Sequence, residues 1–512
     1  MSQLHLSETH RPNHDARFER GLRLTDWPAH IAILNDYVRI PYANGSSFAS
    51  QFLYREFGKR GHQVTIVGPR DPNASPEELP RYHLSLPSLP LRNHPGVYMP
   101  FPTKSTLAQA RAQAFDIMLG QTGCELMELG VWLRATERIP LLCVNTIHLP
   151  SVYDVLLPES LHENAVVNAL FTRRVIPWLE RHSADVYNLS DGLIVLSAGL
   201  KAYWRERGVR VPIHVIPRSV EPKIFSAPMG TDPFDPRARR GGRLLVVCRH
   251  TREKGVARLL EIFARLIAPA APDATLTLVG DGPDHDTFRT LAEELGVADR
   301  TFFPGEQALT DVPNWYRYAD IFVYTSLSET YGQVVSEAMW CGLPVVAFSD
   351  RMGVSQQISS GEDGVLVEPG PDGRTANWRF AKEVLTLLRN PARRFAMAEA
   401  AVAGSRDRCA PGRSVARYYE AFDHAREHCA AHPAPQSAIR RAVPLARWTW
   451  MHAALAGLGC IRPPAVVTRD RGRPPTWETW VEDEKRHRSS APPPSCVSEG
   501  GGVDALPSDS VG

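Results

Sequence analysis

The chain has 512 residues, which is too long for one ordinary domain, so we expect two or three. Its 43% hydrophobic and 22% charged residues are typical of globular proteins, and a net charge of +2 gives no support to nucleic-acid binding. Eight scattered cysteines without a C-x-x-C pair indicate free thiols in a reducing cytosol and argue against a zinc site or a disulfide framework. Because the start of the chain lacks a signal-peptide core and no apolar run reaches about 18 residues, we expect a cytoplasmic protein without a membrane-spanning helix.

A first series of short apolar strands alternates with helical stretches. The strands are predicted at 30–35, 63–68, 116–120, 141–145, 192–197 and 214–217. The stretch SFASQFLYREFGKRG between the first two reads as a helix, and the longest helical stretch is 161–185. A strand–helix–strand order of this kind predicts parallel pairing.

A second series follows a Pro- and Gly-rich patch at 227–242. Its strands are predicted at 243–248, 275–280, 300–305, 320–325, 343–348 and 364–369. A helix at about 412–428 closes the ordered part. Near-continuous apolar strands that alternate with helices predict an α/β fold of two Rossmann-like, doubly wound domains joined near residue 220.

The end of the chain differs in composition. Residues 431–512 contain eleven prolines and have the composition of a disordered tail. Within them, 436–473 holds seven arginines and one acid, Asp470, with Trp448 and Trp450 nearby. This could be a membrane-surface patch or a flexible basic linker, and Pro444 weakens any continuous helix.

The stretch SETYGQVVSEAMWCGLPVV, residues 328–346, places two carboxylates around a predicted helix start. Glu329 follows the strand 320–325, and Glu337 lies about two turns into the helix that begins near Gly332. Backbone amides at such a start suit anions, and both carboxylates can accept hydrogen bonds from sugar hydroxyls. The alternative is an acid that favours the helix dipole plus an ordinary surface glutamate, and spacing alone does not decide between them.

Two further segments suggest a phosphate site. Arg249 ends the strand 243–248 and Lys254 begins the next helix, so the two cations can converge on a diphosphate or form a solvated surface pair. In IPYANGSS, Gly45 allows close approach of a phosphate. The loop is not G-x-G-x-x-G, so nicotinamide-dinucleotide binding is poorly supported.

His148, just after the strand 141–145, is a candidate for the same crevice, although a lone histidine is more often structural. The pair Asp284 and Asp286 is interpreted as capping of a helix start. We therefore predict no metal site.

Taken together, these segments resemble the retaining glycosyltransferases of family 4, which have the two-domain GT-B architecture. The segments are IPYANGSS, SDGLIVLSAGLKAYWRERG, VIPRSVEPKIF, LLVVCRHTREKGVARLLEIFARL, LVGDGP and SETYGQVVSEAMWCGLPVV, and the likeness covers roughly residues 30–430. The resemblance implies a hexosyltransferase with two domains facing across a cleft and no cofactor. Its substrate would be a nucleotide sugar, UDP being favoured over GDP.

The resemblance also implies a division of the chain. This comprises an N-terminal extension 1–27, an acceptor domain 28–219, a nucleotide-sugar domain 220–410, a helix 411–430 that crosses back to the first domain, and the tail 431–512.

In that family, the position of Glu337 holds the ribose, and that of Glu329 holds the donor sugar. The amides that assist at the sugar are those of Tyr331, Gly332 and Gln333. Under this reading Glu329 orients the sugar and is not a general base.

The positions of Arg249 and Lys254 bind the diphosphate, helped by the backbone at Gly45, and the histidine matching His148 faces the reacting sugar. Fixed cations and amides there would stabilise the charge on the departing diphosphate. Retention without an obvious protein nucleophile fits a same-face mechanism, in which an oxygen of the leaving phosphate takes the proton of the acceptor.

This sequence departs from the common family pattern at three places. It has Asn44, Gly45 and Ser46 where many relatives carry a glycine pair, and Arg218, Ser219, Val220 and Glu221 where many have N-G-V-D. It has Gly353, Val354, Ser355 and Gln356 where G-G-x-x-E is common. The last change puts the identity of the sugar in doubt.

The segment 86–102 resembles the matching region of diacylglycerol glycosyltransferases and sulfoquinovosyl lipid synthases. We therefore expect a membrane lipid acceptor and peripheral contact with the inner face of the cell membrane. The alternatives are a soluble or polyprenyl-linked saccharide acceptor and, from another class, a catalytically silent GT-B scaffold.

Overall fold

The computed structural model describes nine segments and parts of the tail. The segments are 23–39, 45–76, 79–90, 98–100, 103–121, 126–145, 165–327, 329–370 and 372–433, with 442–443, 446–447, 449–450 and 453–454 from the tail. The predictions for residues 1–22, for His148 and for 455–512 lie outside the described residues.

The first sheet confirms the first strand series. Among the described residues, seven parallel strands stand in the order β3-β2-β1-β6-β7-β8-β9. Their bounds are β1 His30–Leu34, β2 Gln63–Pro69, β3 His83–Leu86, β6 Ile117–Gly120, β7 Leu141–Val144, β8 Gly192–Val195 and β9 Ile213–Val215. A separate antiparallel pair joins β4, Ser88–Pro90, to β5, Tyr98–Pro100. Strands β3, β4 and β5 are absent from the sequence prediction.

The second sheet confirms the second series. In the described part of the chain, six parallel strands stand in the order β12-β11-β10-β13-β14-β15. They are β10 Arg243–Val247, β11 Thr275–Val279, β12 Thr301–Gly305, β13 Ile321–Tyr324, β14 Val345–Phe348 and β15 Gly364–Val367. Strands β13 and β14 are fully buried, as the continuous apolar runs predict.

Helices connect the strands in both halves. In the first half they are Gly45–Lys59, Lys104–Ala112, Leu126–Glu137, Ala165–Leu170, Ile176–Tyr187, Ala198–Glu206 and Pro222–Phe225. In the second they are Val256–Ile262, His285–Glu294, Val312–Tyr318, Gln333–Trp340, Gly373–Arg389, Pro391–Cys409 and Pro411–Ala431. The long helix predicted over 161–185 is interrupted by a π-helical turn, Phe171–Val175, between two α-helical parts.

The last helix, Pro411–Ala431, packs on the first sheet although it follows the second in sequence. Phe422 is fully buried and its ring lies 5.4 Å from that of Phe57, centroid to centroid. Tyr419 shares a 2.8 Å hydrogen bond with His62. The same apolar cluster includes β1 and the helix Gly45–Lys59. The chain therefore crosses between the two sheets twice, once near residue 220 and once near residue 410.

No helix within the described ranges is both long and apolar enough to cross a membrane. The residues described between 442 and 454 are helical, and the ring of Trp450 packs edge-on against Trp178, with 5.7 Å between the centroids.

Candidate active site

The site is built where the central strands β10 and β13 end. These strands are parallel neighbours, so the loops at their carboxyl ends meet at one edge of the sheet. Gly255, in the loop after β10, has a φ of +69°, and a Cβ there would lie 2.8 Å from the carbonyl oxygen of Thr325. Only a glycine allows the backbone at residue 255 to come this close to Thr325, and this close contact places Lys254 next to the loop after β13.

Lys254 and Glu329 form an ion pair at this edge. The Nζ of Lys254 lies 2.6 Å from Oε1 of Glu329, and the side chains are 19% and 12% exposed. The same oxygen accepts hydrogen bonds from Tyr324 and Ser326, each at 2.8 Å. Burial alone would raise the pKa of Glu329, but Lys254 and the two hydroxyl donors hold that pKa below its ordinary value. Glu329 is therefore ionised at neutral pH.

Gly353 and Gln357 pack against the turn that follows Glu329. Gly332 caps the helix Gln333–Trp340 with a φ of 79°, in the left-handed region. A Cβ on Gly353 would lie 2.6 Å from the carbonyl oxygen of Glu329, and the side-chain amide of Gln357 donates to the carbonyl of Tyr331. This packing holds the first amides of the helix, which no intrahelical bond satisfies, at a defined place.

Glu337 lies further along the same helix and is 9% exposed. Its Oε2 accepts a 3.1 Å hydrogen bond from the hydroxyl of Tyr316. Burial raises the pKa of Glu337 to about 7, because water no longer stabilises the carboxylate. The two glutamates of the motif thus differ in charge near neutral pH.

The remaining predicted site residues, Arg249, Gly45 and His148, have no described contact with the ion pair of Lys254 and Glu329. Arg249 follows β10 with a side chain that is 58% exposed and lies 3.9 Å from Glu253, so it reaches solvent beside the ion pair. Gly45 is the first residue of the helix Gly45–Lys59. His148 lies outside the described residues, so its prediction stays open.

The interpretation of the two aspartates is corrected in part. Asp284 occupies the N-cap position of the helix His285–Glu294, but its side chain makes no capping hydrogen bond. Asp286 lies in the first turn of that helix, where it complements the dipole. Within the part of the chain that the structure describes, no group of three His, Cys, Asp or Glu side chains could hold a metal ion.

Sequence reasoning missed three contributors to the site. Tyr324 and Gln357 carry no spacing signal and are found only through their contacts. Arg218 stands out in the sequence only as a departure from the family pattern. Its guanidinium interacts electrostatically with Tyr418, Tyr331 and Glu329.

Two Rossmann-like α/β units, with charged groups at the carboxyl ends of the second sheet, form the GT-B fold. The fold is shared by Anabaena HepE, solved in complex with UDP, with a TM-score of 0.57 and 18% identity. The alignment covers 77% of this chain and 99% of that one.

The sequence comparisons give the family. The model "Glycosyltransferase Family 4" matches residues 44–223, and "Glycosyl transferases group 1" matches residues 236–403. Together these ranges make up more than half of the chain, which belongs to the family 4 glycosyltransferases.

Two relatives extend over much of the chain. The alpha-monoglucosyldiacylglycerol synthase of Streptococcus pneumoniae is 27% identical over 322 residues, 60% of this chain and 68% of that protein. A GDP-mannose-dependent alpha-(1-6)-phosphatidylinositol monomannoside mannosyltransferase of Mycobacterium tuberculosis is 26% identical over 388 residues, 72% of this chain and 91% of that protein.

Proposed function

We propose that this glycosyltransferase moves a hexose, with retention, from a nucleoside-diphosphate sugar to a hydroxyl of a membrane lipid such as diacylglycerol. The observation that carries the proposal is the ion pair of Lys254 and Glu329 beside the helix start that leads to Glu337. The alpha-monoglucosyldiacylglycerol synthase of S. pneumoniae and the phosphatidylinositol monomannoside mannosyltransferase of M. tuberculosis support a lipid acceptor. HepE, solved with UDP, supports a nucleotide donor.

The donor would lie across the helix start. Glu337 would accept hydrogen bonds from the ribose hydroxyls, and Glu329 with the amides at Gly332 and Gln333 would hold the sugar. Glu329 is anchored by Lys254 and two hydroxyl groups, so it suits a fixed contact better than a base that must take a proton.

The chemistry would be a same-face displacement. The bond between the sugar carbon C1 and the β-phosphate oxygen breaks, and the acceptor oxygen bonds to C1. The acceptor proton passes to an oxygen of the leaving phosphate. Arg249 and Lys254 would stabilise the charge that develops on the diphosphate, with the backbone of Gly45 approaching the phosphates and His148 facing the sugar.

Two variants test the site. Glu337→Ala and Arg249→Ala should each abolish transfer while thermal unfolding stays close to that of the wild type. Arg237→Ala is the control, because this arginine is also exposed and ion-paired in the second half of the chain, with Asp235 at 3.0 Å. Near-normal turnover by either site variant would show that the assignment is wrong.

A donor screen decides between the remaining functions. Hydrolysis and transfer would be measured with UDP-, GDP- and ADP-sugars, first without acceptor and then with lipid extract or soluble saccharides. Transfer to saccharides only would replace the lipid acceptor with one from polysaccharide assembly. Folded protein that turns over none of these donors would instead be a silent scaffold.

Membrane contact is tested separately. Full-length protein should sediment with anionic liposomes, and a variant that ends at residue 430 would show whether the basic tail, most of which lies outside the described residues, contributes. Equal sedimentation of the two would assign the contact to the remainder of the chain.

A further inference from the structure

Arg218 lies on the connection between the two domains, where this connection contacts the first residue of the helix Gln333–Trp340. It follows β9, and the next residue, Ser219, accepts a 3.2 Å hydrogen bond at its carbonyl from the side-chain amide of Gln333. The amide of Val220 donates to the carbonyl of Cys409 at 3.2 Å. These contacts fix the connection beside the start of the helix Gln333–Trp340.

The side chain of Arg218 is half-buried, and one of its nitrogens has no hydrogen-bond partner among the described residues. Its Nε is buried without a hydrogen bond, and no described carboxylate pairs with it. It interacts electrostatically with Tyr418, Tyr331 and Glu329. Burial lowers the pKa of Arg218, because removal from water disfavours the charged form.

Two neighbouring polar atoms are also unpartnered. The Oγ of Ser219 and the Oε1 of Gln333 are buried without a hydrogen bond among the described residues. A buried polar group without a partner is costly, and native proteins keep few of them. The three atoms belong to Arg218, to the adjacent Ser219 and to Gln333, which contacts Ser219, so a single ligand at this place could supply partners for all of them.

The balance of charge indicates the sign of that ligand. Lys254 is already paired with Glu329, and Arg249 has Glu253 at 3.9 Å. Arg218 adds a further positive charge, which forms no ion pair with a carboxylate of the described residues. An anionic oxygen is the group that a planar, permanently charged guanidinium recognises best.

We propose that Arg218, with the hydroxyl of Ser219, forms an anion subsite next to the contacts that Glu329 makes with the sugar. The subsite rests on the proposed donor site. Its ligand is an oxyanion of the donor: the β-phosphate, or an acidic group carried by the transferred sugar. Arg218 then selects the donor or stabilises the leaving group, depending on which of these oxyanions it binds.

The test compares the wild type with Arg218→Gln, which keeps a side-chain amide but removes the charge, and with Arg218→Lys. Calorimetric titrations would use UDP against UMP, GDP against GMP, and UDP-glucose against UDP-glucuronate. If Arg218 binds the β-phosphate, Arg218→Gln should weaken the diphosphates about 10- to 100-fold and leave the monophosphates unchanged. If it binds an acidic sugar, only UDP-glucuronate should weaken by such a factor.

Thermal unfolding separates this role from a structural one. Without ligand, Arg218→Gln should melt close to the wild-type temperature or above it, because it removes a half-buried cation whose Nε is buried without a hydrogen bond. Arg218→Lys keeps the positive charge but loses the planar guanidinium with its two parallel N–H donors, so it should recover only part of the affinity. It also serves as the second variant if Arg218→Gln does not fold.

Two results would overturn the subsite. Affinities of both variants within twofold of the wild type for every ligand would exclude it while leaving the donor site intact. Failure of the wild type itself to bind any of these nucleotides would remove the proposed function and the subsite together. Arg237→Gln is the matched control and should bind like the wild type.

Discussion

Donor binding should remove a proton from Glu337. In the ligand-free protein burial raises the pKa of Glu337 to about 7, and the hydrogen bond from Tyr316 offsets this only in part. A ribose places two hydroxyl donors against the carboxylate, and hydrogen bonds to the charged form lower a pKa. Binding and ionisation are therefore coupled.

The size of the effect follows from the pKa. At pH 7 about half of the molecules carry the proton, so a bound-state pKa near the ordinary value of 4.5 releases about 0.5 proton per donor. The release should be about 0.9 at pH 6 and about 0.1 at pH 8. Donor affinity should fall by up to about tenfold for each pH unit below 7, because an increasing share of the protein must first lose the proton.

The measurement is titration calorimetry with UDP-glucose and GDP-mannose, whose phosphates, unlike the terminal phosphate of UDP or GDP, carry no proton that titrates near pH 6. It uses two buffers of different ionisation enthalpy, at pH 6 and pH 8. The difference in heat gives the number of protons released. Glu337→Gln should bind more weakly and release none. A heat of binding that does not depend on buffer at pH 6, or an unchanged release from Glu337→Gln, would refute the assignment of Glu337 to the ribose.

The same shift predicts a stability profile for the ligand-free protein. The folded-state pKa of Glu337 is raised above its ordinary value of 4.5, so the folded state binds more protons between these values. The free energy of unfolding should therefore fall as pH rises from about 4.5 to 7, and Glu337→Gln should flatten this part of the curve.

Three substitutions test the surrounding structure. Lys254→Met leaves the carboxylate of Glu329 without its cation and should lower the free energy of unfolding by about 3 kcal/mol in denaturant titrations. The Lys254→Met and Glu329→Gln changes should be non-additive, and additive losses would show that the pair is not coupled. Phe422→Ala should cost about 3–5 kcal/mol, because the ring is fully buried between the last helix and the first sheet, and a loss below about 1 kcal/mol would contradict that packing. Gly353→Ala should raise the donor KM at least about tenfold by displacing the carbonyl of Glu329, whereas Gly373→Ala, which meets nothing within 4 Å, should match the wild type.

The strand series is readable from sequence because the buried strands are apolar on both faces. The runs at β10, β11, β13 and β14 end in loops with Gly, Pro or charged residues, and the structure confirms them within about two residues. Strand β3 and the pair of β4 with β5 lie in a segment with several prolines, which lowers strand propensity without forbidding edge strands.

The candidate site can be predicted only in part from the sequence, because its contacts join residues that are far apart along the chain. The helix start at Gly332 follows from local sequence, and its positive φ is the expected use of glycine. The pairing of Lys254 with Glu329 joins residues 75 positions apart, so it needs the parallel alignment of β10 and β13. No spacing rule predicts that Gln357 supports the turn at Tyr331.

The ion pair has a consequence for how charge would change during the reaction. In the ligand-free site Lys254 neutralises Glu329, so it cannot give its full charge to a diphosphate without weakening that pair. Arg218 interacts electrostatically with the same carboxylate, and its Nε has no hydrogen-bond partner among the described residues. If the ligand of Arg218 is the β-phosphate, the arginine would supply the positive charge that the lysine shares with Glu329, and Glu329 would stay on the sugar while the leaving group becomes negative. On this reasoning, with a neutral sugar donor, Arg218→Gln should lower kcat by a larger factor than it raises KM. A rise in KM with unchanged kcat would show that Arg218 contributes to donor binding alone.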